Sequence, residues 1–375
     1  MMSGGPPGHD RLPAVQRSPG HPEAAVTAAL TWRPRFVVLA PITCMRTASF
    51  LPVLLLASTC LLAPPFRARS ATLESATGPL KLTLDDQAAL TTISFNGQPV
   101  IEYAFGTNRF KPCVHALHSL KGDNVLIDWP PDHVHHHGLM YAITVNGINF
   151  WEEQTDPGVQ RAIGLPGRDL GTNVDGLPKA VLTQTIHWVA QSNRFLADTQ
   201  PVALLIEQRR LTLTVNEKAG EVAVEWQGDF EVGPGADQVT LTGKPYHGLG
   251  LRFIHEFDHV AKRLNSGGLG YLPAGGDEVT PSVWSAMIQN VNGRDLTVSM
   301  HKDPLNAGAS TFFSMLNGFA YLSATQGLDK QPLAYRQGAK FRLRYLVTVT
   351  TSALTADQLE ARHRAWRMAL RRPSS

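Results

Sequence analysis

Residues 123–139 read DNVLIDWPPDHVHHHGL and hold the densest chemistry in the chain, four imidazoles in five residues at His133, His135, His136 and His137. Imidazole changes charge near neutral pH, and its neutral ring binds metals, so the run suits proton transfer or coordination. If the segment is extended, His133, His135 and His137 share one face while Asp132 and His136 share the other. A His-x-His pair on a strand can aim two ring nitrogens at one divalent ion, and a third ligand from another strand completes an open site. His115, Glu152, His247, His255 and His301 are the candidates for that third ligand. His133, His135 and His301 form the expected metal set. A metal-free site is the alternative, with His133, His135, His136, Glu152 and His247 as acid–base groups. A third reading is structural, a loop in which the histidines hold one another and nearby carboxylates.

Residues 146–153, NGINFWEE, follow closely. A hairpin at Asn146-Gly147 returns Trp151 and Glu152 toward the histidines. A ring beside polar groups suits a sugar, whose apolar face stacks while its hydroxyls are hydrogen-bonded. Burial in the core is the other use of Trp151. The run Lys244-Pro-Tyr-His247-Gly-Leu-Gly-Leu-Arg252 forms a second polar cluster. Gly248 and Gly250 inside a strand pattern predict a close backbone approach or a bulge. Arg252 fits either a ligand or an internal ion pair. His301 falls at a predicted sheet rim, where site residues gather. Cys113 reads as a small buried apolar residue. No G-x-S-x-G elbow, phosphate-binding glycine loop or dinucleotide fingerprint is present.

Strands must position these groups. Beyond residue 75 the apolar residues recur with period two, as in Leu80-Lys-Leu-Thr-Leu84 and in residues 139–145, 181–189, 203–215, 221–232 and 341–349. Asn-Gly pairs at 96, 146, 292 and 317 supply the positive φ of tight hairpins. One helix is predicted, capped by Thr355 and Gln358, with Leu359, His363, Trp366 and Leu370 on one face. Residues 156–179 and 264–280 read as long irregular stretches of the kind that line sites. The pattern predicts an all-β fold, two large antiparallel sheets packed as a supersandwich-like sandwich with a C-terminal helix.

The 375 residues include 34 basic and 31 acidic ones, a net charge of +3. Residues 1–70 hold seven of the basic and two of the acidic residues, which leaves 27 against 29, a net charge of −2. That balance gives no cationic footprint for phosphate and sets nucleic acid aside as a partner. From Met45 the chain reads MRTASFLPVLLLASTCLLAPPFRARSA. A basic start, an apolar run too short to span a bilayer comfortably and a small-residue exit are the layout of a secretory signal peptide. Residues 1–44 show no apolar periodicity, and translation is expected to begin at Met45. Residues 71–375 are then one exported domain, periplasmic or extracellular, with no stable membrane insertion. A division near residues 193–200 is the alternative. Cys44 and Cys60 fall in the leader, so Cys113 has no disulfide partner within the domain.

The run Pro131-Asp132-His133-Val134-His135-His136-His137-Gly138-Leu139, followed by Val145-Asn146-Gly147 and Phe150-Trp151, resembles the bacterial PmoA-like family. That family's motif reads approximately P-P-D-H-x-H-H-R-G-L, then V-N-G and F-W. The likeness extends to Lys111-Pro112 with His115, to Gly248-Leu249-Gly250-Leu251-Arg252, to residues 301–306 and to residues 341–349. His137 stands where the family usually carries arginine, and Cys113 where an aromatic is common. The resemblance implies a large sugar-binding sandwich of the galactose mutarotase type. Substrate contacts would then come from Lys111, His115, Asp132, His137, Trp151, Arg252 and Asn306. The methane oxygenase label attached to the family implies instead an iron or copper oxygenase. The leading expectation is an exported carbohydrate-active enzyme that works on a small-molecule or oligosaccharide substrate by proton transfer or metal-assisted chemistry, of epimerase, lyase or hydrolase type. A non-catalytic sugar-binding module is the remaining alternative.

Overall fold

The computed structural model describes residues 71–371 except 75–77, 191–201, 269 and 273–277. All of these lie in the compact unit Pro65–Ser375. The leader read over residues 1–70 and the alternative boundary at 193–200 fall outside the described residues.

The period-two stretches form strands, and the apolar phase decides which side of each is buried. In Leu80–Asp85 the three leucines are buried while Lys81 and Asp85 are exposed. Leu205–Asn216 pairs along its whole length with Glu221–Val232, from Leu205 opposite Val232 to Asn216 opposite Glu221. Both residues of the Asn96-Gly97, Asn146-Gly147 and Asn292-Gly293 pairs have positive φ, between 49° and 80°. That backbone twists with the strands it joins, and asparagine and glycine tolerate it at low cost.

Three antiparallel sheets result. The first has ten strands, and its centre runs Gln98–Ala104, Cys113–Leu117, Leu139–Ala142, Gly248–Arg252, Tyr321–Thr325, Thr311–Met315. The second has nine, including Trp284–Val291, Arg294–Lys302, Lys340–Thr350, Glu221–Val232, Leu205–Asn216, Pro178–Ala190 and Gly158–Thr172. A small third sheet joins Leu333–Arg336, Gln238–Thr242, Thr144–Val145 and Ile148–Asn149, an addition to the two sheets expected. The large sheets share one core: Tyr141 of the first packs against Trp188 and Phe230 of the second, each at 5.8 Å between ring centroids.

The C-terminal helix Ala356–Leu370 begins with the predicted capping box between Thr355 and Gln358. It covers the outer face of the nine-stranded sheet, with Leu359 against Leu264, Trp284 and Ala286, and Trp366 against Ala223 and Leu346. That cover explains why every residue of Lys340–Thr350 from Tyr345 onward is buried, although the sequence alternates. No helix among the described residues is long and apolar enough to cross a membrane.

Residues 156–179 correct the sequence reading. Most of them form the 15-residue strand Gly158–Thr172, paired with Pro178–Ala190 at the edge of the nine-stranded sheet. Its glycines and Pro166 imitate a loop in sequence. An edge strand tolerates them because one side of its backbone has no ladder to complete, and the register shift between Thr183 and Thr185 absorbs the irregularity.

Candidate functional site

The histidine run is coiled, which overturns the extended reading. His133 donates its backbone N–H to Pro130 O at 3.0 Å, and His136 donates to His133 O at 2.9 Å. Pro130 and Pro131 have no N–H for a ladder, and their fixed φ favours turning. The turn is closed by a bridge between Asp128 and His137. Spacing by three then replaces spacing by two. His133 and His136 stack at 4.8 Å, His135 meets His136 edge-on at 4.6 Å, and His137 separates from them. Gly138, at φ 58°, ends the turn; a Cβ there would lie 2.4 Å from the Val114 carbonyl oxygen.

His133, His135 and His136 form one wall of a cleft of about 490 Å³. Trp151 and Glu152 arrive from the Asn146-Gly147 hairpin, as expected, and Pro245, Tyr246, Phe313, Met315, Phe319 and Tyr321 complete the lining. Leu249 and Leu251 of Gly248–Arg252 point into the core, so Gly250 between them faces the other way. A Cβ on Gly250 would sit 1.9 Å from the Tyr321 hydroxyl, so the tyrosine lies where only glycine leaves room. This is the close approach the glycine spacing predicted.

Trp151 stacks on His247 at 5.0 Å with 13° between the rings. Its face is covered, so what it offers the cleft is an edge and not the stacking platform expected. The polar atoms around this cleft are left without partners among the described residues: His135 Nδ1, His136 Nδ1, both nitrogens of His247 and Trp151 Nε1. Each buried unpaired group costs about 1–3 kcal/mol. Burial pushes His135 down to about 4, His136 to about 2 and His247 to about 3. At neutral pH these three rings are uncharged, each with one donor and one acceptor nitrogen.

Behind the histidine turn lies a chain of charges. His137 places Nδ1 2.8 Å from Asp128 and Nε2 2.9 Å from Glu153, contacts that both call for an N–H. Glu153 also accepts from Lys111 Nζ, which donates further to the backbone oxygens of Trp151 and His135 at 3.0 and 3.4 Å. The buried ammonium thus ties together the two segments that build the cleft. Arg109 holds the other oxygen of Asp128 at 2.8 Å. Burial works to raise Asp128 and Glu153, but hydrogen bonds from His137 and the neighbouring cations outweigh it and hold both carboxylates below their ordinary range. On the cleft side, Asp132 Oδ2 lies 3.0 Å from both Arg252 Nη2 and His133 Nδ1. The Arg252 guanidinium packs over the Phe319 ring at 3.8 Å.

Several sequence assignments move. His301 is not beside His133 and His135: it lies in the nine-stranded sheet, bonded to Ser299 Oγ and stacked on His363 of the helix. It follows Met300, whose side chain takes the core, so its own emerges on the far face. Asn306 is spent on the backbone of Arg344, accepting at 2.8 Å and donating at 2.9 Å. His137 and Lys111 are buried behind the cleft, and His115 sits between Glu102 and Asp128 at 2.9 and 3.6 Å. Arg252 is buried and braces the site through Asp132 and Phe319. Phe313, Met315, Phe319 and Tyr321 were missed, and Tyr246 was passed over within the 244–252 run; only the Asn317-Gly318 turn marked the neighbourhood of Phe319 and Tyr321.

The metal set His133, His135 and His301 is not assembled. Among the described residues the donors that converge are Cys113, Asp128 and His137, within 4.8 Å of one another. Their chemistry fits an ion poorly. Burial raises the Cys113 thiol to about 12, and Arg109 already contacts both Asp128 and the Cys113 sulfur. A cation therefore already occupies the place an ion would take.

The chain is similar to several solved structures. With the GH36 alpha-galactosidase AgaB from Geobacillus stearothermophilus it shares 8% identity at a TM-score of 0.42, over 72% of this chain and 41% of that one. For the alpha-galactosidase from Lactobacillus brevis the values are 9%, 0.37, 77% and 40%. For the Slr1438 protein from Synechocystis sp. PCC 6803 they are 13%, 0.33, 76% and 97%. The chain thus spans about two-fifths of the galactosidases' length. No curated protein matches it. The model of one family covers residues 91–364, from the third strand of the ten-stranded sheet into the C-terminal helix, and the chain belongs to that family, the Family of unknown function (DUF6807).

Proposed function

We propose that the cleft binds a sugar ring and that the chain is a carbohydrate-active enzyme working by proton transfer. The observation that carries this reading is the concentration of unpartnered buried polar atoms around one aromatic cleft. A ligand rich in hydroxyls, each both donor and acceptor, matches neutral imidazoles, which are also both. Phe319 and Tyr246 offer apolar surface to the C–H face of such a ring.

His133 is the best-placed proton acceptor. Its Nδ1 faces Asp132, which holds the proton there and leaves the Nε2 lone pair free, while Arg252 fixes the carboxylate in turn. Glu152, also lining the cleft, is the second group able to carry a proton. His135, His136 and His247, held neutral, orient hydroxyls. The likeness of residues 131–139 to the PmoA-like motif belongs to this reading, with His137 acting as a buried donor to two carboxylates where an arginine is usual. Export to the periplasm or exterior, from the leader at residues 45–70, is part of the same proposal.

The test is turnover of a glycan panel by the full chain and by His133→Ala and Asp132→Asn variants. Loss of one acid–base group is expected to lower kcat by about 10²–10⁴-fold. Unchanged turnover in His133→Ala removes it from the mechanism. Saturable binding without turnover in the unaltered protein points to a sugar-binding module instead. An iron or copper oxygenase draws support only from the convergence of Cys113, Asp128 and His137. Stoichiometric iron or copper that is lost in His137→Ala would favour it.

A further inference from the structure

The cleft holds one carboxylate among five aromatic rings: Glu152 with Trp151, Tyr246, Phe313, Phe319 and Tyr321. The Glu152 side chain has no ion-pair partner among the described residues, whereas the nearby buried cations each face another carboxylate. Lys111 is paired with Glu153, and Arg252 with Asp132 through Nη2, its Nε and Nη1 buried beneath Phe319 without partners. Lys244 is exposed to solvent and forms no ion pair with Glu152, although after burial its charge helps to lower His247. The imidazoles of His135, His136 and His247 add no charge at neutral pH. Burial, and after it the negative charge of Glu152, push the Tyr246 phenol up, so that charge is felt at the ring. The uncompensated charge facing the ligand is therefore negative, and the surface around it is aromatic.

That combination selects a particular sugar. We infer that the carbohydrate taken by this cleft carries an ammonium group, seated between the Glu152 carboxylate and the neighbouring Tyr246 ring. A cation over aromatic faces is attracted by their quadrupoles, and the attraction grows when both are desolvated. A uronate would meet Glu152 with like charge. The inference rests on the sugar reading above and adds the charge of the substrate to it. Hydroxyls remain the business of the imidazoles and Trp151 Nε1, and the amino group alone is assigned to Glu152.

The experiment is calorimetric titration of the full chain, at low salt and pH 6.5, with the methyl glycosides of glucose, galactose and mannose. Their 2-amino, 2-acetamido and uronate counterparts are titrated beside them, and the whole set is repeated with Glu152→Gln. The amino sugar of the accepted stereochemistry is expected to bind at least tenfold more tightly than its neutral parent. The acetamido form, which keeps the ring and loses the charge, should lose that advantage. The uronate should bind more weakly than the parent, and Glu152→Gln should close the gap between amino and neutral sugars. Neutral and amino sugars binding alike, or a gap that survives in Glu152→Gln, would overturn the inference and leave the sugar reading standing. Saturable binding by none of the pyranoses would overturn both.

Discussion

Acidification should weaken this fold in a way that reports on the cleft. His136 and His247 are buried, 4% and 3% exposed, and desolvation lowers them to about 2 and about 3. An unfolded imidazole titrates near 6.5. The folded-state values are depressed, so the unfolded chain takes up protons first. The stability these rings contribute is complete above about pH 6.5 and is lost as pH falls toward the folded values. A pH of 5.0 lies about 1.5 units below the unfolded value of each ring, worth about 2 kcal/mol per ring and about 4 kcal/mol for the pair. His135, His301 and His363 are shifted the same way by burial, so the unaltered protein loses more than this in total. A His136→Gln, His247→Gln double variant isolates the cleft contribution. Urea unfolding followed by tryptophan fluorescence at pH 7.5 and 5.0 gives the fall in stability for each protein. The fall should be smaller in the double variant by about 2–4 kcal/mol. Equal falls in the two proteins would show that these rings are solvated or paired in solution, and the account of the cleft as an unsatisfied polar site would go with them.

Two further perturbations probe how the cleft is held. His137→Leu keeps the bulk but withdraws one donor from Asp128 and one from Glu153; since Arg109 and Lys111 remain, the cost should be about 2–3 kcal/mol in chemical denaturation. Gly250→Ala sets two effects against each other, a gain of about 0.4–1 kcal/mol from a stiffer unfolded chain and an overpacking cost of about 1–3 kcal/mol from a Cβ 1.9 Å from the Tyr321 hydroxyl. The clash should win, lowering the melting temperature and weakening sugar binding together; a higher melting temperature would show that Tyr321 does not lie across Gly250.

Local signals in the chain were reliable where local physics decides. Alternation found the strands, Asn-Gly found the hairpins, and Thr355 with Gln358 found the helix start, because each depends on neighbours a few residues away. The His133 to His137 run failed as a strand because Pro130 and Pro131 ahead of it override the alternation. Residues 158–172 failed as a loop because edge position, a property of the sheet and not of the segment, licenses their glycines and proline. The cleft itself was half legible. His135, His136, Trp151 and Glu152 lie close in sequence, while Tyr246, Phe313, Phe319 and Tyr321 join them only through pairing of Gly248–Arg252 with Leu139–Ala142 on one side and Tyr321–Thr325 on the other, and of Tyr321–Thr325 with Thr311–Met315. His301 shows the converse error, a residue type suited to the site placed on the opposite face of another sheet.

Cys113 has a practical bearing on how this protein opens. It begins a central strand, hydrogen-bonded between Gln98–Ala104 and Leu139–Ala142, and its side chain has no exposed surface. With the thiol pushed up to about 12, thiolate is scarce as well as hidden. A soluble alkylating reagent can reach that sulfur only when strands part at the centre of the ten-stranded sheet. In a chain with Cys44 and Cys60 replaced, the rate of Cys113 labelling becomes a clock for that opening. Comparing it with the free energy from urea would tell whether the sheet behind the histidine turn breathes on its own or opens only when the whole domain unfolds.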